Sequence, residues 1–71
     1  MEALVKNFLK NAISDKKTMI FYLINGIRLV GTIVEMGDDT VLIKSKTQTS
    51  GEQLVFVRHI STISEHQDNT L

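Results

Sequence analysis

The sequence predicts a mainly β fold: a short N-terminal α-helix followed by a small, bent barrel of about five antiparallel strands. Apolar residues recur at helical spacing only near the start of the chain. Short apolar runs of strand length follow, separated by closely spaced turn residues. Gly31 lies inside the second of these runs, where glycine marks a bulge or a sharp bend. A bent strand of this kind lets a small sheet curl into a barrel.

The helix is predicted over residues 2–13. Its two lysines, Lys6 and Lys10, lie opposite the apolar face and are interpreted as solvated rather than as ligand contacts. No good N-cap residue precedes the helix, so its first turn is expected to fray. The apolar face consists of Leu4, Val5, Phe8, Leu9, Ala12 and Ile13.

Five strands are predicted after a polar turn at residues 14–17. The first, residues 18–24, is almost continuously apolar and is predicted to be buried on both faces. The following Asn25-Gly26 pair predicts a two-residue type I′ turn, because both residues tolerate positive φ. The other strands are predicted at residues 27–36, 40–45, 53–58 and 60–64, with a polar loop at residues 46–52 and a disordered tail at 65–71.

Size and charge narrow the function classes. A chain of 71 residues is one small domain, and without cysteine it has neither disulfides nor a cysteine-based metal site. A small β domain without such cross-links commonly gains extra burial by self-association, and the last two strands would otherwise be unprotected edges. Lys and Arg total 8, as do Asp and Glu, which excludes a wholly electrostatic nucleic-acid binder. The first residues lack a long apolar run, so a cytoplasmic location is expected.

Catalysis is not predicted. His59 and His66 lie seven positions apart, which fits no standard metal-ligand spacing. The adjacent Asp38 and Asp39 follow Gly37 and are explained by turn chemistry. We therefore predict no catalytic residue, no metal and no cofactor.

A binding surface has better support. Tyr22 lies beside the predicted tight turn, where an exposed aromatic ring can stack on a nucleobase. Arg28 lies just beyond the turn and could meet a phosphate or a base plane, while Gln53 and Thr62 offer hydrogen-bonding groups. Each residue also has an ordinary structural explanation, as core or as solvated strand surface, and the residues alone leave this choice open.

Three stretches resemble the Hfq family of bacterial Sm-like RNA chaperones: Phe8-Leu9, the run from Tyr22 to Gly31, and Arg58-His59-Ile60-Ser61-Thr62. The resemblance covers about residues 8–64. It implies an Sm-like (SH3-like) domain over residues 1–64, assembled as a homo-oligomeric ring that is usually a hexamer. It also implies binding of small regulatory RNA and mRNA in post-transcriptional regulation, including stress responses, without enzymatic activity.

In this family, adenine-rich RNA binds the distal face of the ring. By resemblance, Tyr22 would stack on a base, Ile27 and Leu29 would form apolar walls, and Arg28 would supply a basic contact. Val30 replaces a polar residue usual in the family, which implies the loss of one hydrogen bond. The matching distal positions are Tyr22, Gly26, Ile27, Arg28, Leu29, Gln53 and Thr62.

The match is poorer on the proximal face, around the pore, where the family binds uridine-rich RNA. The pair that stacks on uracil falls on Asp38 and Asp39, whose charges would repel phosphate. The basic positions fall on Arg58 and His59, and the sequence leaves open which of the two points into the pore. The resemblance therefore predicts weak or altered uridine recognition.

The rim of the ring is also altered. Only Lys16 and Lys17 supply positive charge where many members carry an arginine-rich patch, so strong RNA annealing is not expected. An alternative function follows: an Sm-like oligomer that serves as a protein-interaction scaffold and binds RNA weakly.

Overall fold

A computed structural model describes residues 1–45 and 51–66, and it confirms a helix followed by five antiparallel strands in one sheet. The predicted loop residues 46–50 and the predicted tail residues 67–71 lie outside the described residues. The elements are α1 (Ala3–Ser14), β1 (Thr18–Leu23), β2 (Arg28–Met36), β3 (Thr40–Ser45), β4 (Glu52–Phe56), a one-turn 3₁₀ helix η1 (Val57–His59) and β5 (Ile60–Glu65).

The sheet is built around β2. Its strand order is β4-β3-β2-β1-β5, so β4 and β5 are the two edges within the described part of the chain. The first half of β2 pairs with β1, from Arg28 to Thr32, and the second half pairs with β3, from Gly31 to Met36. The two ladders share only Gly31 and Thr32, so β2 pairs with β1 through its first half and with β3 through its second half.

Gly31 lies in this overlap, where the sequence predicted a bulge or a sharp bend, and the bulge of β2 lies three residues further on. The register shifts between Ile33 and Glu35, so Val34 is the extra residue. Gly31 has another role: a Cβ atom at this position would overlap the backbone carbonyl oxygen of Lys44 on β3. Glycine therefore allows β3 to approach β2 where the two ladders meet.

The core lies on one side of the sheet. In β1, Met19 and Phe21 are buried, whereas Tyr22 is exposed. The prediction that this strand is buried on both faces is therefore wrong, because its second face has no covering layer within the described chain. The buried apolar residues are Leu9, Ala12, Met19, Phe21, Ile33, Val41, Ile43 and Val55.

The turn between β1 and β2 differs from the predicted type I′ turn. Gly26 N donates to Leu23 O at 2.9 Å and Leu23 N donates to Ile27 O at 2.9 Å, which closes a three-residue loop. Gly26 has a φ of 92°, but Asn25 does not have positive φ; it caps the loop by accepting a hydrogen bond at Oδ1 from Ile27 N at 3.0 Å. Asn-Gly suits both turn types, so the sequence could not separate them.

The helix ends in a motif that turns the chain into β1. Lys16 adopts a left-handed conformation with a φ of 52°; Lys16 N donates to Ile13 O, and Lys17 N donates to Ala12 O, both at 3.1 Å. This is a Schellman arrangement, with lysine at the position that glycine usually occupies. At the other end, Glu2 makes no side-chain capping bond, in agreement with the weak N-cap predicted.

Candidate nucleic-acid interface

Three of the predicted distal residues form a row across the outer face of the sheet. Thr62 on β5, Tyr22 on β1 and Arg28 on β2 are directly opposite one another in the two ladders. Directly opposed residues in antiparallel strands project from the same face, with Cβ atoms about 5 Å apart. All three are exposed. We call Tyr22, Arg28 and Thr62 the exposed row.

Three others lie on a different surface. Ile27, Leu29 and Gln53 line a cleft of about 280 Å³. The Gln53 Oε1 atom is buried and accepts no hydrogen bond from any described residue. The other residues that line this surface, which we call the cleft, are Leu23, Leu54, Val55, Phe56 and His59.

Gly26, the remaining predicted distal residue, lies in the β1–β2 turn. Leu29 is opposite the buried Phe21, so it points to the core side of the sheet, whereas its neighbour Arg28 points outward. The resemblance to the Hfq family implied that these positions form one face. Consecutive residues of a strand, such as Arg28 and Leu29, point in opposite directions, so the sequence already indicated that the positions are divided between two faces.

The short helix η1 connects the β1–β2 turn to the β2–β3 turn. The sequence predicted strand through residue 58, but β4 ends at Phe56. Val57 N then donates to Asp39 O in the β2–β3 turn, and Ile24 N in the β1–β2 turn donates to His59 O, both at 2.8 Å. The first bond continues the register of the β3–β4 ladder by one residue and the second continues that of the β1–β5 ladder, so η1 joins the two ladders.

The β2–β3 turn holds the acidic pair of the predicted proximal face. Asp38 and Asp39 are both exposed, and Arg58 Nη1 lies 4.0 Å from Asp39 Oδ2. The Arg58 guanidinium carbon also lies 4.8 Å from the centre of the Phe56 ring. Of the two basic positions left open by the sequence, Arg58 is therefore the one beside the acidic turn.

His59 lies on the other side of η1, near the β1–β2 turn. His59 lines the cleft, and with Leu23, Ile24 and Asn25 it also lines a smaller adjoining pocket of about 230 Å³. It makes an edge-to-face contact with Phe56, with ring centroids 5.9 Å apart. Arg58 therefore lies beside the β2–β3 turn, and the next residue, His59, lies beside the β1–β2 turn.

The two lysines predicted for the rim differ in their surroundings. Lys16 is exposed, whereas Lys17 Nζ donates to Glu65 Oε2 at 3.0 Å and lies 3.8 Å from Asp15 Oδ2. The hydrogen bond and the charge of Glu65 raise the pKa of Lys17 above its ordinary value. The charge of Lys17 is therefore compensated within the chain.

A further apolar surface was not anticipated. Leu4 and Phe8 remain 75% and 45% exposed, and they line an open groove of about 390 Å³ between α1 and β5. The signal in the sequence was the width of the helix's apolar face, which exceeds what one small core can cover. The remaining residues of this surface, called the α1–β5 groove, are Val5, Val57, Ile60, Ser61, Thr62 and Ile63.

Residues 1–45 and 51–66 contain neither a helix that could cross a membrane nor a cluster of metal-ligating side chains. No helix in these ranges is both long and apolar enough to cross a membrane. In the same ranges, no three His, Asp or Glu side chains come together as metal ligands would.

Comparison with known proteins identifies the family. The family model described as Hfq protein matches residues 4–70, nearly the whole chain. The chain belongs to the Hfq family. Hfq proteins are Sm-like RNA chaperones without enzymatic activity, so membership supports RNA binding and oligomerisation in general terms and agrees with the prediction that the chain is not an enzyme.

Solved Hfq structures share the fold. The crystal structure of the Hfq described as a pleiotropic translational regulator is 21% identical, with a TM-score of 0.76; the match covers 86% of this chain and 97% of that one. The Hfq protein from Anabaena sp. is 14% identical, with a TM-score of 0.78, over 92% of this chain and 100% of that one. No curated protein sequence matches the chain. At these identities the structural likeness concerns the fold, which is the bent Sm-like sheet with an N-terminal helix.

Proposed function

We propose that the chain forms a hexameric ring in the cytoplasm that binds adenine-rich RNA on its distal face, and that it thereby acts on small regulatory RNA and mRNA. The observation that carries this proposal is the exposed row. Tyr22 presents a ring that is 40% exposed, with a cation on one side and a hydroxyl on the other. A base stacked on Tyr22 would have Arg28 within reach of its phosphate and Thr62 within reach of its edge.

The lining of the cleft also supports binding of a nucleobase. Its walls at Ile27 and Leu29 are apolar, and the Gln53 Oε1 atom is an acceptor without a donor among the described residues. A planar base buries its faces against such walls and offers polar groups at its edge. Gln53 also lines the cleft, and its carboxamide is of the chemical type that pairs with the polar edge of an adenine.

The two sheet edges support the ring. Leu54 and Phe56 on edge strand β4 are 59% and 39% exposed, and the α1–β5 groove runs beside the other edge strand, β5. If β4 of one copy pairs with β5 of the next, both edges are satisfied and the groove is covered. This contact is head-to-tail, and it generates a closed ring when the rotation between copies permits closure.

The proximal face and the rim are proposed to contribute little. Arg58 lies beside Asp39, and the second carboxylate of the turn, Asp38, leaves this region with a net negative charge. Lys17 is likewise paired with Glu65. Phosphate gains little from basic groups whose charge is already compensated.

Oligonucleotide titration tests the proposed function. By fluorescence anisotropy, adenine-rich RNA should bind more tightly than uridine-rich RNA of equal length. Tyr22→Ala should weaken adenine-rich binding at least about tenfold, because stacking on an aromatic ring is worth about 1–3 kcal/mol per base. Tyr22→Phe keeps the ring and should bind within about twofold of wild type.

The mass of the particle, measured with and without the oligonucleotide, reports the ring size in the same samples. Equal binding of the two RNAs, or an unaffected Tyr22→Ala variant, would remove the distal assignment.

The compensated basic residues favour a second candidate, an oligomeric protein-interaction scaffold that binds RNA weakly. A ring of stable mass that retains no RNA and binds a protein partner would support this candidate instead.

A further inference from the structure

We infer that His59 is a base-contacting residue of the cleft and that it contacts the adenine bases of single-stranded RNA. The inference rests on the proposed RNA-binding function. His59 is not among the seven residues predicted for the distal face. The resemblance to the Hfq family instead implied a role for it on the proximal face.

The position of the ring is the first argument. His59 lines the cleft together with Ile27, Leu29 and Gln53, and it also lines the adjoining pocket beside Asn25. Leu23 is the other residue common to both. His59 therefore lies between the two concavities, where a base entering either one would contact this residue.

The ring is also held in place. The His59 carbonyl oxygen accepts a hydrogen bond from Ile24 N at 2.8 Å, which ties the backbone to the β1–β2 turn. The edge-to-face contact with Phe56, with an angle of 64° between the ring planes, limits the side-chain orientation. A ring positioned before binding loses less conformational entropy when a base contacts it.

The chemistry of the cleft matches a purine base. A neutral imidazole offers an N–H donor, a nitrogen acceptor and a π face. The His59 imidazole makes no hydrogen bond or ion pair with any residue in the ranges 1–45 and 51–66, so both nitrogens are available. With Gln53, which also lines the cleft, two polar side chains stand among apolar walls. An adenine could accept the His59 N–H at a ring nitrogen.

Arg58 provides a matched control. It adjoins His59 in the same one-turn helix and is exposed as well, but its guanidinium lies beside Asp39 and the Phe56 ring. Substitution of either residue by alanine removes one exposed side chain from η1 and leaves the two backbone hydrogen bonds of this helix in place. Only His59→Ala alters the cleft next to the β1–β2 turn.

The experiment compares the affinity of adenine-rich RNA for wild type, His59→Ala, Arg58→Ala and Tyr22→Ala, each as the full chain at equal particle mass. We expect His59→Ala to weaken binding about fivefold to tenfold and Arg58→Ala to change it by less than about twofold, since a net hydrogen bond is worth about 1 kcal/mol. The chain has two histidines, His59 and His66, so NMR gives a second readout. Addition of the RNA should shift the imidazole signals of His59 and leave those of His66 in place.

The outcomes separate this inference from the function on which it rests. If Tyr22→Ala loses adenine-rich binding while His59→Ala binds like wild type and its signals do not move, the function stands and the role of His59 is wrong. If His59→Ala and Arg58→Ala lose the same affinity, the effect belongs to η1 as a whole and the inference is overturned. If wild type binds no adenine-rich RNA, both the function and the inference fall.

Discussion

The two turns that η1 connects have the same kind of scaffold and opposite chemistry. Each turn shares one backbone hydrogen bond of 2.8 Å with η1, through Asp39 in one case and Ile24 in the other. Around the β1–β2 turn lie an exposed aromatic ring, an arginine and an imidazole without compensating acids nearby in the described contacts. Around the β2–β3 turn, two aspartates face a single arginine.

This difference indicates how the proposed selectivity between the two faces would arise. Each turn has one backbone hydrogen bond to η1, so the proposed preference for one face would depend on a few side chains rather than on the fold. A neutral chain with 8 basic and 8 acidic residues can still present one RNA-binding surface, provided that the compensated pairs lie elsewhere.

The largest effect is expected from a substitution in β2, the strand that connects the two turns. Gly31→Ala should lower the free energy of unfolding by about 2 kcal/mol, because the new methyl group overlaps the backbone oxygen of Lys44, which cannot move without displacing β3. Gly37→Ala is the matched control: its Cβ would meet the side-chain oxygen of Thr40, which can rotate away. Urea denaturation at one fixed protein concentration measures both, since assembly makes stability depend on concentration.

If the two alanine variants were equally stable, the close approach of β3 to β2 would not be the reason that glycine occupies position 31.

A smaller effect is expected from removing the acidic charges at the β2–β3 turn. The double substitution Asp38→Asn and Asp39→Asn should raise the affinity for uridine-rich RNA about tenfold at low salt, because it removes repulsion and frees Arg58 to meet phosphate. Adenine-rich binding should change less than about twofold. Anisotropy titrations over a range of salt concentrations provide both values.

The third substitution, Arg58→Ala, checks the cause of this gain. Added to the double variant, it should abolish most of the increase. An increase that survives the loss of Arg58 would mean that the aspartates act only through long-range repulsion and not by pairing with this arginine.

The smallest effect is expected at the rim. Glu65→Gln removes the carboxylate that pairs with Lys17, an exposed pair whose contribution salt screens. The pKa of Lys17 is higher in the folded chain than its ordinary value of 10.5. The stabilisation that comes from the Lys17–Glu65 pair is therefore fully present below pH 10.5, and it is lost as the pH rises through the pKa of the folded state. Thermal melts should show a slightly lower Tm for the variant at pH 7 and low salt. Equal Tm values under those conditions would show that the pair contributes nothing to stability.

Much of the fold could be predicted because periodicity reports it directly. The helical spacing of the first residues and the alternation in β3, with Val41 and Ile43 buried and Lys44 exposed, follow from the geometry of the two structures. The helix was predicted one residue early at both ends, and β5 continues one residue beyond its predicted end, to Glu65.

The η1 helix could not be predicted in the same way. Val57 continues an apolar run, so the local pattern indicates strand, and the residue instead packs against the core. At η1 the chain passes from the β3–β4 ladder to the β1–β5 ladder, and no local pattern encodes this change of partner. The orientation of Arg58 and His59 depends on this helix, which is why the sequence left it open.

Apolar pattern also cannot distinguish a chain's own core from a surface meant for a partner. Leu9 and Phe8 are adjacent on one helix face, yet the first is fully buried and the second lies 45% exposed in the α1–β5 groove. Both look like core residues from their spacing. Only the packed structure shows that the helix has more apolar surface than one copy covers.

The extra residue at Val34 has a consequence for how charge is arranged along β2. Before it, the even-numbered Arg28 faces outward and the odd-numbered Ile33 faces inward; after it, Glu35 is exposed and Met36 packs against the core. The insertion therefore acts as a phase shift, exchanging which parity of residue faces water. As a result, β2 carries the positive charge of Arg28 at one end of its exposed side and the negative charge of Glu35 near the other end.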